Sequence, residues 1–303
     1  MMTIVKKRLF IDRCGERGMW LLVMASSLIV VFMVVALYLR SRPILDMTPL
    51  NQLLFGQSWH PSRGEFGFLT FLVGTLWVTL VAVTIAIPVC IFTSIYLVEY
   101  APRWVRDAVN PLIDILAGIP SVVFGMWGVL VIVPLVSTYL APMFGTWSSG
   151  YSILSGGIVL AVMISPVIIH IVIEVLNTIP RPLKEASLAL GATKWETIKH
   201  VVLKRAMPGM IAASVLGLSR AFGETIAVMM VVGNMARLPA SIFDPAYPLP
   251  ALIANNYGEM MSIPHYDAAL LFAALLLLCI VLYFNIVSRM ILGATKWSSY
   301  YHG

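Results

Sequence analysis

The chain has 303 residues, of which 60% are hydrophobic and only 11% charged, with a formal net charge of +6 and a mean hydropathy of +0.92. A soluble domain carries about a quarter charged residues, so this composition excludes an ordinary soluble protein and indicates a polytopic membrane protein. No Lys/Arg-rich run with interleaved aromatics occurs, so nucleic acid is not expected as a partner.

Taken in chain order, six apolar runs reach the roughly twenty residues needed to cross a hydrocarbon core. They cover 19–39, 70–98, 109–140, 153–177, 210–235 and 268–292. The first ends in Arg40-Ser41-Arg42-Pro43 without a small-x-small cleavage pattern, which predicts an uncleaved spanning helix. The second contains Pro88 and the third Gly118 and Pro120, so tilted or interrupted helices are expected there. The fold class is therefore an all-α polytopic membrane protein with six transmembrane helices. Cys14, Cys90 and Cys279 lie far apart in sequence; they read as buried small hydrophobes, not a disulfide framework or a metal site.

Lys and Arg set the orientation. Placing 1–18, 99–108, 178–209, 293–303 and Arg289 inside puts fifteen of the twenty basic residues in the cytoplasm, including Lys6, Lys7, Arg8, Arg13 and Lys296. Only Arg40, Arg42, Arg63 and Arg237 fall outside, and Arg220 lies within a span. Both termini are thus expected in the cytoplasm. Trp20, Trp59, Trp104, Trp147 and Trp297 fall near span ends, as interfacial anchors do.

The loop between the fourth and fifth runs, "IPRPLKEASLALGATKWETIKHVVLKRAMPG" at 179–209, reads as two short helices with a hinge. Pro182 suits a first helical turn. Leu183, Ala186 and Leu190 form one apolar stripe, and Gly191 suits a C-terminal cap. Thr193 and Glu196 have capping-box spacing, and Trp195, Ile198 and Val202 line one face of the second helix. Such a loop either lies on the bilayer or fills a groove in a partner.

The fifth run, "SRAFGETIAVMMVVG" at 219–233, carries two charges at a cost of about 2.5–3.5 kcal/mol each. Arg220 and Glu224 are four apart, so on a continuous helix they share a face and can pair. Small residues recur in two stripes, Ala213–Gly217–Ala221 and Ser219–Gly223–Ala227, which predicts a helix packed inside a bundle. Two readings stand: an ion pair that fixes register, or an aqueous anion path in which the Arg fork meets oxyanion oxygens while Glu224 moderates the field. His170 and Glu174, also four apart, read as a hydrogen-bonded pair or as path-lining residues. No P-loop, paired carboxylates or His/Cys cluster at usable spacing occurs, so a non-enzymatic protein with no cofactor is expected.

"EASLALGA", 185–192, resembles the EAA loop of ABC-importer membrane subunits: Glu185, Ala186, Ser187 and Gly191 match its first part and Val201 and Leu203 its second. Lys204 stands where that family usually has Pro. "FLVGTLWVTLVAVTIAIPVCIFTSIYLVEYAP" (71–102), "LAGIPSVVFGMWG" (116–128) and "LSRAFGETIAVMMVVGN" (218–234) are similar to segments of phosphate-specific importer permeases, more of the PstC than the PstA type. The likeness covers about 65–295. It implies a type I ABC-importer permease fold and alternating access, with the 182–191 helix docking on a separate ATPase through Glu185, Ala186 and Gly191. It also implies a substrate path at Arg220 and Glu224. The implied partners are a homologous second permease, a cytosolic ATP-binding subunit dimer and an external phosphate-binding protein, in the cytoplasmic (inner) membrane of a prokaryote.

The corresponding organisation is 1–66 as an N-terminal segment with the first span and an external loop, 67–295 as the permease core with its coupling loop at 180–208, and 296–303 as a tail. The rivals are the same architecture carrying molybdate, tungstate or sulfate, or a gradient-driven secondary transporter; no repeat between the halves favours the latter. "LGATKW" occurs at both 190–195 and 292–297, read as convergence on helix-end chemistry and not as a second ATPase contact.

Overall fold

The computed structural model describes residues 2–258 and 263–300, with side chains at 15–258 and 263–290. The side chains of Lys6, Lys7, Arg8, Arg13, Cys14, Lys296 and Trp297, and hence the second LGATKW copy, lie outside the described residues. Among those described, six helices are long and apolar enough to cross a membrane: Gly15–Met47, Leu69–Tyr100, Ser121–Met143, Ile153–Asn177, Lys194–Gly223 and Tyr266–Met290. An even number of crossings returns both termini to one side.

Helix α1 (Met2–Met47) carries span one. A short α2 (Leu50–Phe55) and a hairpin of β1 (Trp59–His60) and β2 (Glu65–Phe66) form the first loop. Span two is α3 (Leu69–Ile95) with a π-helical turn at Tyr96–Tyr100. After α4 (Arg103–Gly118), span three is built from α5 (Ser121–Trp127), α6 (Val133–Leu135) and α7 (Ala141–Met143), joined by π-helical turns. Span four is α8 (Ile153–Asn177). The loop helix α9 (Arg181–Ala189) precedes span five, which is α10 (Lys194–Thr197), a π-helical turn at Ile198–Val202 and α11 (Leu203–Gly223) in one continuous run. Two short helices, α12 (Ile226–Val231) and α13 (Leu249–Asn256), lead to α14 (Tyr266–Tyr300), which carries span six.

Three expectations change. Span three begins at Ser121, not at 109, because Ile119 precedes Pro120 and takes an extended conformation (ψ 130°), as a residue before proline must to avoid the ring. Residues 103–118 form a separate amphipathic helix. The second loop helix is the cytoplasmic end of span five instead of an independent element. Span five stops at Gly223, well short of 235.

The core is a three-helix contact among α3, α8 and α11, lined by Val78, Ala82, Leu160, Ile164, Ile168 and Ala213. Glycines permit the close approach: a Cβ on Gly217 would lie 2.6 Å from the Ile168 side chain, and one on Gly209 2.5 Å from Val175. The Ala213–Gly217–Ala221 stripe thus packs as read. The second stripe does not, since Gly223 faces open space and Ala227 lies beyond the helix break. Span one touches α14, with Ser41 and Ile44 buried and most of 19–39 exposed. Trp59 sits edge-on to Phe66, Phe68 and Phe71 at 5.0–5.5 Å between ring centres. Cys90 is buried as expected, but Cys279 is exposed.

Candidate functional site

Arg220 stands in the last turn of α11, exposed, about 24 Å along the helix axis from Lys204 at 1.5 Å per residue. Three residues before it, Gly217 packs on Ile168, towards the middle of α8, so Arg220 lies near mid-depth of the bundle. It does not pair with Glu224; among the described residues no ion pair joins them. The reason is backbone. Gly223 is a poor helix former, and Glu224 turns extended (φ −73°, ψ 127°), so the i, i+4 relation no longer holds. The Glu224 carboxylate instead accepts from the Ala227 N–H at 3.4 Å, and the Thr225 hydroxyl donates to Gly223 O at 3.3 Å. Glu224 borders a small cleft with Thr75, Thr79 and Pro248.

A second break lies beside this one. Helix α5 packs on α12 with Gly125 against Ala227 and Met230, and Gly128 against Val231. The pairing is parallel, so the gap at 119–120 and the gap at 224–225 sit at similar depth. Non-helical backbone at membrane depth persists only where protein buries it or where it lines a watery cavity. Gly223 and Arg220 are exposed, so the chain's own residues do not bury this break.

At the cytoplasmic end, α9 closes with a full Schellman motif. Gly191 takes φ +85°; its N–H donates to Leu188 O at 3.0 Å and the Ala192 N–H to Ser187 O at 3.3 Å, satisfying carbonyls the helix end would leave bare. The capping box forms: Thr193 N–H donates to Glu196 Oε2 at 2.8 Å, and Glu196 N–H to Thr193 Oγ1 at 3.3 Å. Ser187 and Thr197 hydroxyls bond at 2.9 Å, fixing α9 on α10. Ile198 and Val202 are buried, whereas Glu185, Ala186 and Gly191 are exposed and Leu190 is 89% exposed. An apolar stripe is thus left open beside a carboxylate.

Sequence spacing missed several partners. His170 pairs with Asp114 of α4 at 3.0 Å and not with Glu174. Lys184 of α9 pairs with Glu99 at the end of span two, and Lys194 Nζ lies 4.5 Å from the centre of the Tyr100 ring. These contacts join distant segments, and no local periodicity marks them. No group of three or more His, Cys, Asp or Glu among the described residues has metal-site geometry.

The family model described as "Binding-protein-dependent transport system inner membrane component" matches residues 91–296, about two thirds of the chain, including the α9 loop and both helix breaks. The chain belongs to this family. As a binding-protein-dependent transport component it is a membrane permease subunit and not an enzyme. It is 39% identical over 252 residues to the phosphate transport system permease protein PstC of Xylella fastidiosa (strain 9a5c), covering 78% of this chain and 77% of that protein. It is 31% identical over 309 residues to PstC of Haemophilus influenzae, covering 95% and 97%. Its structure matches a chain of the inward-facing MetNI methionine ABC transporter with a TM-score of 0.56 and 22% identity, covering 73% of this chain and 93% of that one. At that identity the likeness carries the fold alone, that of an ABC-importer permease.

Proposed function

We propose that this chain is a permease subunit of an ATP-driven importer that moves inorganic phosphate across the cytoplasmic membrane. The observation that carries the cargo is the identity to PstC permeases over three quarters or more of both chains. An anion path beside Arg220 is supported by two features of the chain. Arg220, exposed at the edge of two helix breaks and free of any ion pair among the described residues, offers a fork that fits phosphate oxygens. Glu224, bordering the cleft nearby, limits how strongly an anion is held, so that it enters and leaves.

The power stroke enters through α9. Its open stripe at Ala186 and Leu190, with Glu185 beside it and Gly191 closing it, docks on one subunit of a cytosolic ATP-binding dimer. A second, homologous permease supplies the other docking helix and the other wall of the path, and an external phosphate-binding protein delivers the anion. In this reading 67–295 is the permease core, with its coupling loop at 180–208.

Labelled phosphate uptake in cells lacking the chain tests the proposal. Restoration by the intact gene should give ATP-dependent uptake that excess sulfate and molybdate do not compete. Uptake competed away by either oxyanion would keep the importer and remove phosphate as its cargo.

A further inference from the structure

We infer that Lys184 and Glu99 are positioning residues that make span two a driven part of the transport cycle, moving with the coupling helix. The inference rests on the reading of α9 as the ATPase contact. Chain connectivity ties α9 only to spans four and five, so a pull on it would leave span two behind. The side chains say otherwise. Lys184 meets the Glu99 carboxylate, and the two side chains are only 21% and 10% exposed. Lys194, on the next element, lies over the Tyr100 ring one residue further on. Two cations from the loop therefore grip one turn of span two.

That turn is built to be gripped. It is the π-helical end of the span, Tyr96–Tyr100, closed by Ala101 N–H donating to Tyr96 O at 2.8 Å. The Arg106 guanidinium reaches back from α4 and donates to Val98 O at 2.7 Å and to Ala101 O at 3.1 Å. On the other side, the Schellman motif, the capping box and the Ser187–Thr197 bond hold α9 and α10 as one piece. A stiff loop is thus joined to a stiff helix end by charges largely withdrawn from water, where removing one partner strands the other.

The far end of span two lies at the candidate path. Thr75 Oγ1 accepts from Leu249 N–H at 2.8 Å, and Thr75 and Thr79 border the cleft that holds Glu224. Twenty residues of unbroken helix, with Pro88 inside it, separate Thr79 from Glu99, about 30 Å. Motion of α9 thereby reaches the surroundings of Glu224 by a route that bypasses the break in span five.

The test uses the complete transporter in proteoliposomes with its phosphate-loaded receptor. Wild-type phosphate uptake is read first, since its absence defeats the functional proposal whatever the pair does. Lys184→Met and Glu99→Gln should then assemble and hydrolyse ATP while phosphate moved per ATP falls by about fivefold or more, the lower range of coupling effects. Lys184→Arg, and the exchange Lys184→Glu with Glu99→Lys, should recover most of that ratio. A purely structural role lowers the yield of complex and leaves the ratio unchanged.

Independently of those variants, spin labels at Tyr96→Cys and Arg181→Cys should keep their separation between nucleotide-free and ATP-bound states, while the distance from Arg181→Cys to Val122→Cys changes. An unchanged ratio in both single variants, an exchange no better than either single variant, or a Tyr96–Arg181 distance that shifts with nucleotide would each overturn the inference.

Discussion

At Gly191 the backbone turns to φ +85°, and a Cβ placed there would meet nothing within 4 Å. A side chain at this position therefore fails by conformation and not by collision, at about 1–2 kcal/mol for an L-residue in the left-handed region. Gly191→Val should open the Schellman motif and lose copurification of the ATPase while the permease still inserts. Gly191→Asn, which tolerates this conformation, should retain it. Normal copurification with the valine variant would remove the motif from the docking account. This residue was legible in sequence because its job is local. Arg220 and Glu224 were legible as important but not as a geometry. Their spacing implied a pair only while the helix ran on, and Glu224 ends that helix by holding the first turn of α12.

At the scale of elements, the six spans could be read because each buries or exposes a long apolar run, a property that survives any error in detail. Their ends could not. The apolar half of α4 read as the start of span three until Pro120 forced the extended Ile119. The run to 235 hid a break, because Gly223 and Glu224 sit among apolar neighbours. Contacts between elements, such as His170 with Asp114 or Lys184 with Glu99, join segments far apart in the chain and leave no periodic trace. Packing gives a prediction of its own. Gly217→Ala places its methyl against Ile168, and overpacking of this kind costs about 1–3 kcal/mol. The variant should unfold earlier in a thermal or detergent titration, and Ile168→Ala added to it should recover much of the loss. Equal losses in the single and double variants would show that spans four and five do not meet as described.

For the whole molecule, the structure divides into a cytoplasmic loop, a bundle of α3, α8 and α11, and a region where two broken helices lie side by side. The charge distribution orients this arrangement. Arg237→Cys, in the loop after α12, should react with an impermeant thiol reagent added outside intact cells, whereas Lys199→Cys should react only after the membrane is opened. The reverse pattern would invert the topology and with it the direction of transport.

The measurement that bears most directly on the account is phosphate uptake by Arg220→Gln, with expression and ATPase copurification recorded in the same cells. Losing a charge-assisted contact of about 1.5–3 kcal/mol corresponds to roughly tenfold or more, so uptake should fall by that factor while the complex assembles normally. Arg220→Lys, which keeps the charge without the planar fork, should fall between. Wild-type uptake in Arg220→Gln would contradict the account, since the phosphate path would then run without the exposed cation that stands at the paired helix breaks.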